Sequence, residues 1–352
     1  MLRDYTSFDL IATANLTEGL FTSVNTGSSA LVAVSAGTGR RGTNSLRLSN
    51  SGDLATACNV RRTLDAQATW GVGFAFRMSN VAKYARDIFA VRDGGTAHVD
   101  VVVNLDGTLS ATRNGTVLGT TSVALSSAAY YFLEVRVVIH SSAGAVKIRL
   151  NNAVVLNLTG INTQATGNAS ANELVFGNVR LTSGLAGTGA TLDYDDLHIY
   201  DGQAGAVTDC LGDCRVDALR PIADVSTAFT PSSGSARYAM VDDSTPNGDT
   251  DYNESTTVGA VDRFTFETLP ALSAPTIYAV KVTMYARNPQ PGVRTLTAQA
   301  HSGATSQDGA SHSLGGTYLL YNDLFETDPA TSAAWADQAA VNNATFGYKV
   351  AS

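Results

Sequence analysis

Asp242, Asp243, Asn247, Asp249, Asp251 and Glu254 form the densest run of oxygen donors in the chain. Hard cations such as Ca2+ take six or more oxygen ligands. The D-x-D spacing inside NGDTDYNE supplies half of such a loop, which makes Asp243, Asp249 and Asp251 candidate calcium ligands. The run lacks the Gly and distal Glu of an EF-hand loop, so that motif is excluded. Asx turns in an exposed loop account for the same residues without a metal. A second acidic group, Asp193, Asp195, Asp196 and Asp201, lies on and after one apolar-alternating stretch. Strand geometry sends Asp193 and Asp195 to one face and Asp196 to the other. With an incomplete ligand set for a hard cation, these acids read as caps that satisfy loop N–H groups at strand ends.

Nucleophilic and acid–base arrangements are sparse. A retaining glycosidase needs two carboxyls about 5 Å apart, one of raised pKa, and jelly-roll glycosidases usually carry E-x-D-x-E on one strand face. Asp193-x-Asp195 is the nearest approach and lacks the third acid. The two tryptophans, Trp70 and Trp335, lie far from it in sequence. His98, His140, His198, His301 and His312 are scattered, with no HExxH and no Ser–His–Asp order. These observations predict no catalytic residues, a non-enzymatic chain, and no obligatory cofactor. Three cysteines, Cys58, Cys210 and Cys214, are too few for a tetrahedral zinc site. An extended Cys210–Cys214 segment holds its Cα atoms about 13 Å apart, beyond disulfide reach. Gly212 allows a turn that closes the gap, so Cys210–Cys214 is a candidate disulfide, set against free thiols in a reducing cytoplasm.

The elements that position these residues are strands. From Tyr130 to Gly202 the chain alternates: Tyr131, Leu133, Val135, Val137 and Ile139, then Val146, Ile148 and Leu150, then Val154, Leu156 and Leu158, then Leu192 to Tyr200. A period of two is the signature of half-buried strands. Ser141–Gly144, Asn151-Asn152, NLDG at 104–107 and Asn114-Gly115 are hairpin turns. About a dozen strands precede Gly202, the spacing of a sandwich. One helical turn is expected at 80–86 and one helix from Ser332 to Val341, followed by a strand from Ala344 to Val350. The strand around Ile277–Met284 is expected at the centre of the second sheet. Trp335 and Phe346 to Val350 are expected to complete the second core.

Composition agrees with this layout. Of 352 residues, 44% are hydrophobic and only 15% charged, and 32 Gly stand against 8 Pro. Such a length suits two domains. Small polar residues must then cover the outer sheet faces. We expect an all-β chain of two β-sandwich domains: 1–205, a Gly-rich linker at 206–213, and 214–352. The net charge of −8 lies in the second part, since 1–205 balance 15 basic against 15 acidic residues. No basic face for nucleic acid and no apolar stretch long enough to span a bilayer is present. The opening MLRDYTSFDL shows no charged segment followed by an apolar core, so no secretory signal is expected.

The order E-V-R-V, turn, V-K-I-R-L, dipeptide turn, V-V-L-N-L-T-G, then D-Y-D-D-L-H-I-Y-D resembles the second half of a laminin-G or concanavalin-type jelly roll. It is similar in particular to versions in bacteriophage virion proteins. DYTSFDL and GTGRRGTNSLRL resemble the way such domains open. GDCRVDALRP, the acidic run, VDRFTF, IYAVKVTMYAR and the closing VNNATFGYKV are similar to a C-terminal module of phage structural proteins. The resemblance implies a non-enzymatic structural component of the virion exterior, made in the host cytoplasm: a capsid decoration, head fibre or tail appendage. Its partners would be other virion proteins and further copies of itself, with a trimer by analogy. The alternative is a carbohydrate-binding module for host surface polysaccharide, with or without Ca2+, its aromatic platform supplied by Tyr84, Tyr130 and Tyr131.

Overall fold

A computed structural model describes residues 1–27, 30–50, 58–81, 86–179, 190–203, 207 and 209–352. The chain divides into two compact units, Met1–Val216 and Asp217–Ser352. In the first, fifteen strands follow in order: β1 (Leu2–Thr6), β2 (Ser23–Asn25), β3 (Ala30–Ser35), β4 (Ser45–Asn50), β5 (Cys58–Gln67), β6 (Thr69–Met78), β7 (Arg86–Asp93), β8 (Thr96–Val103), β9 (Thr108–Arg113), β10 (Thr116–Ala124), β11 (Tyr130–Val138), β12 (Gly144–Leu150), β13 (Ala153–Ile161), β14 (Ala171–Val179) and β15 (Ala190–Asp201). They form an eight-stranded sheet, β13-β12-β11-β6-β15-β4-β3 with β1 on β15, and a seven-stranded sheet, β10-β9-β8-β7-β14-β5-β2. Every pairing is antiparallel. This is the β-sandwich that the alternation implies, of the jelly-roll kind that the resemblance implies.

The core between the sheets is aromatic. Trp70 and Phe74 of β6 are fully buried, as are Phe89, Phe176 and Tyr194. Phe74 touches Phe89, Phe176 and Tyr194 with ring centroids 6.3, 6.0 and 5.2 Å away. The polar ends of buried aromatics need partners: Trp70 Nε1 donates to Ala171 O at 2.8 Å, and the Tyr194 hydroxyl to Ile88 O at 2.6 Å. Two hairpins form at the expected dipeptides. Asn114 and Gly115 have φ +45° and +81°, and Asn151 and Asn152 have +47° and +72°, the left-handed pair that matches strand twist. The expected helical turn at 80–86 falls mostly on residues outside those described.

The second unit contains β16 (Pro221–Thr227), β17 (Thr230–Pro231), β18 (Asn253–Glu254), β19 (Val261–Phe266), β20 (Val280–Ala286), β21 (Thr295–Ser302), β22 (Thr305–Asp308), β23 (His312–Ser313), β24 (Leu319–Phe325), α1 (Gln338–Asn343) and β25 (Thr345–Val350). A six-stranded sheet runs β16-β19-β25-β21-β22, with β23 on β21. The strand expected at its centre, β20, pairs only with β24 in a separate two-stranded ladder. The last strand, β25, takes the inner place between β19 and β21. Trp335, Phe346 and Val350 join Phe325 and Met284 in the core, and Trp335 Nε1 donates to Phe325 O at 2.9 Å. Pro221 does not interrupt a strand but begins one at the sheet edge, where a missing N–H is tolerated. The helix starts later than the sequence suggests, because the Asp337 side chain caps it by accepting from Ala340 N at 2.8 Å.

Replacing Trp70 by Ala is expected to lower the unfolding free energy of the first unit by roughly 3–5 kcal/mol. Denaturant titration followed by far-ultraviolet circular dichroism measures it, and a loss under 1 kcal/mol would contradict the packing described.

Candidate functional site

The two outer faces of the first unit differ in how their charges are matched. On the eight-stranded sheet the ion pairs are short, although Glu134 Oε2 and Arg136 Nε make no hydrogen bond. Arg47 and Arg77 hold Asp193 at 2.6 and 2.8 Å, Arg41 holds Asp196 at 2.7 Å, and Arg3 holds Asp201 at 2.7 Å. Arg149 reaches Glu134 at 3.1 Å. Asp195 accepts from Arg40 N at 2.8 Å and from Asp196 N at 2.8 Å. Burial first, and the neighbouring Asp196 second, push the Asp195 carboxyl up to about 7. Asp196 does not face away from Asp195 as strict alternation requires. A bulge between Asp195 and His198, with Asp196 at φ +50°, brings both carboxylates to the Arg40–Arg41 corner.

Residues 209–216, the last five of the expected linker and the first three of the expected second domain, are hydrogen-bonded over this face. Gly212 N donates to Glu134 at 2.9 Å, Asp213 N to Asn152 Oδ1 at 2.7 Å, and Val216 N to Asp196 Oδ1 at 2.9 Å. Lys147 pairs with Asp209 and Arg40 with Asp213. Cys58, Cys210 and Cys214 are free thiols. The Tyr200 hydroxyl donates to Cys210 Sγ at 3.7 Å. Burial raises the Cys210 thiol and pushes Cys214 up to about 12.

The seven-stranded sheet is matched loosely. Val60, Leu174, Phe176, Phe89, Val91, Val99, Val101 and Ala111 take its inner side. The registers then line up Asn59 and Arg61 of β5, Glu173 of β14, Arg92 of β7, Asp100 of β8, and Ser110 and Thr112 of β9 on the outer side. Asn59 accepts from Asn25 at 2.7 Å and from Arg61 at 3.1 Å. Arg61 stands 3.5 Å from Glu173, and Arg92 stands 3.9 Å from Asp100. Arg92 Nε, Asp100 Oδ1 and Glu173 Oε1 are buried atoms without a hydrogen-bond partner. Each such group carries a desolvation cost of about 1–3 kcal/mol. Burial is the main reason the Asp100 carboxyl rises to about 7; Asp87 adds to the shift and Arg92 opposes it.

The residues singled out from sequence scatter. Asp249 pairs with Arg287 at 2.8 Å and accepts from the Tyr318 hydroxyl at 2.9 Å. Asp243 and Asp251 instead share the Asn247 amide, 2.6 Å from Asp243. Burial and the like charges of Asp251 and Asp242 raise the Asp243 carboxyl. Among the described residues no group of three acidic, His or Cys side chains is placed to hold a metal. Tyr130 and Tyr131, as neighbours in β11, point to opposite sides: Arg77 lies 4.9 Å over the Tyr130 ring, while Tyr131 packs on Phe76 at 6.2 Å. Tyr84 lies outside the described residues. His98 bridges Ser170 O and Ala165 N, His140 accepts from Ser142 N and Ala143 N, His301 meets Ser306, and His312 meets Asp323. His198 differs: it is 3% exposed, neither ring nitrogen has a partner, and burial lowers its pKa to about 4. Arg61, Arg92, Asp100 and Glu173 carry no local motif; only strand pairing across more than 80 positions brings Arg92 beside Glu173.

No family model and no curated protein matches the chain. Among solved structures, an endo-β-1,4-glucuronan lyase from the fungus Trichoderma reesei is similar over 56% of this chain and 95% of its own, at 14% identity and TM-score 0.43. An alginate lyase in complex with alginate trisaccharide matches over 57% of this chain and 97% of its own, at 12% identity and TM-score 0.42. A sialidase matches at 12% identity and TM-score 0.45 over 57% of this chain, which spans only 18% of the sialidase. At these identities the likeness concerns the fold. It still corrects two expectations drawn from sequence, a non-enzymatic chain and a structural part of a virion. These three solved structures are described as two lyases and a sialidase, and none as a virion component. The missing E-x-D-x-E triplet excludes one glycosidase arrangement, not enzymatic chemistry on a jelly roll.

The raised Asp100 carboxyl couples folding to pH. Its folded pKa, near 7, lies above the unfolded value, so its contribution favours folding at low pH and is lost as pH rises from about 4 to 7. Asp100→Asn is therefore expected to gain stability over the parent with rising pH, by roughly 1–3 kcal/mol at pH 8. Denaturation midpoints at pH 4, 6 and 8 test this; a difference constant with pH contradicts it.

Proposed function

We propose that the first unit binds a polysaccharide along the outer face of its seven-stranded sheet. The observation that carries this reading is the set of unmatched polar atoms there: Arg92 Nε, Asp100 Oδ1 and Glu173 Oε1. Sugars offer hydroxyls that donate and accept, and charged sugars offer carboxylates that suit guanidinium. The polar row runs from Asn25 on β2 to Thr112 on β9, six strands at about 4.8 Å spacing, or roughly 24 Å. That length takes several sugar rings. The opposite face also holds unmatched atoms, at Glu134, Arg136 and His198, but there residues 209–216 are hydrogen-bonded over the sheet.

A cleaving role has its own support. Asp100 is a buried carboxyl that titrates near neutrality, beside a guanidinium 3.9 Å away. Such a group is suited to take or give a proton in glycan cleavage.

Isothermal titration against a panel of uronic-acid and neutral polysaccharides tests the binding. The expected result is association with at least one class, weakened about tenfold or more by Arg92→Ala, in line with the loss of a charge-assisted contact. Absence of binding across the panel, or an Arg92→Ala variant that binds like the parent, overturns the reading. Release of new reducing or unsaturated ends in the same mixtures, abolished by Asp100→Asn, separates cleavage from binding alone.

A further inference from the structure

The outer face of the eight-stranded sheet carries a floor that the short ion pairs do not explain. Strand β6 presents Gly71, Gly73 and Ala75 there, opposite Tyr200, His198 and Asp195 of β15 on one side. On its other side the same residues face Arg136, Glu134 and Phe132 of β11. The absence of side chains lets rings settle over the strand. A Cβ on Gly71 would stand 1.9 Å from Tyr200 Cζ, and one on Gly73 would stand 2.1 Å from His198 Cε1. The rings of Phe132, His198 and Tyr200 follow one another at 6.0 and 6.2 Å, each pair of planes inclined by 22°. Three nearly parallel rings therefore form a row, with the Glu134 carboxylate alongside.

Residues 209–216 are bonded to Tyr200 of this row through Cys210 and to Glu134 beside it through Gly212. The His198 imidazole is left with two unpaired nitrogens. A buried polar group in that state is disfavoured, and this segment does not satisfy it. Two side-chain ion pairs also hold the segment, an exposed Lys147–Asp209 pair of a kind that contributes little and a bidentate Arg40–Asp213 pair. Arg40 also lies 5.5 Å over Phe132. Release of Asp213 leaves this cation with the longer contact to Asp196, at 3.7 Å.

We propose that this row is a second saccharide-binding site and that residues 209–216 are its displaceable cover. Aromatic faces receive the apolar faces of sugar rings, while His198 and Glu134 pair with hydroxyls. The choice of ligand rests on the reading above, but the site uses no residue of the seven-stranded face.

The test is an Asp209→Ala/Asp213→Ala variant, which alters the cover and leaves the floor intact. Hydrogen exchange at the Gly212 and Asp213 amides is expected to quicken at least tenfold, and the His198 ring to titrate nearer the ordinary histidine range by NMR. Titration with the saccharide that the parent binds is then expected to show one additional site per chain. That site persists when Arg92→Ala is added and disappears with His198→Ala. Unchanged protection of the two amides overturns the proposal, because the segment is then a fixed part of the fold. Faster exchange with no added site also overturns it, while parent binding that depends on Arg92 leaves the first reading standing.

Discussion

Strand β6 lies hydrogen-bonded between β11 and β15, and its register decides what each side of the eight-stranded sheet contains. Trp70, Val72, Phe74, Phe76 and Met78 point inward and build the aromatic core. Gly71, Gly73 and Ala75 point outward and leave room for the side chains of both neighbours. A slip of one position would exchange the two sets, placing five large apolar side chains in water and glycines in the core. The free energy of burying Trp70 and the two phenylalanines, about 1.5–3 kcal/mol for a side chain of this kind, holds the register. With the register go the row of near-parallel rings and the ion-pair corner beside it.

The sandwich then has two exteriors of opposite character. One is covered by the chain itself and by guanidinium–carboxylate pairs at 2.6–3.1 Å. The other keeps its charges 3.5 and 3.9 Å apart and leaves buried donors and acceptors unmatched. Short pairs contribute to stability, yet Glu134 Oε2, Arg136 Nε and both His198 ring nitrogens stay unmatched beneath the chain's own cover. Separated charges in a partly desolvated row cost stability, and that cost is recovered when a ligand supplies the missing hydrogen bonds. A jelly roll can hold both conditions because its two sheets share a core but not a surface.

Much of this fold is legible in the sequence, and the reason is local. Alternation in YYFLEVRVV, GAVKIRL and AVVLNLTGI needs only a period of two, and the Asn-Gly and Asn-Asn turns need only their own φ preferences. What is not legible depends on pairing between distant segments. Nothing near Val280 says that β20 joins β24 instead of the larger sheet. Arg92 and Glu173 become neighbours only through the β7–β14 ladder. The acidic run at 242–254 attracts attention because its residues are adjacent. Once folded, its members are divided between Asn247 and the Arg287–Tyr318 pair. Density of charge along a chain measures how exposed a loop is more reliably than it marks a site.

The irregularity at Asp196 has a further consequence for how this chain can vary. Two residues of β15, Asp196 and Leu197, stand opposite the single Phe74 of β6, so one of them is surplus to the ladder. Removing Asp196 would leave Leu197 inward and His198 outward, an ordinary strand with no change of side for anything downstream. What would disappear is the carboxylate that grips Arg41 and the Val216 amide. A single-codon deletion could thus unfasten the junction where the first unit ends and leave the sandwich itself in phase. Sequence length at this one position is a dial on tethering, independent of folding.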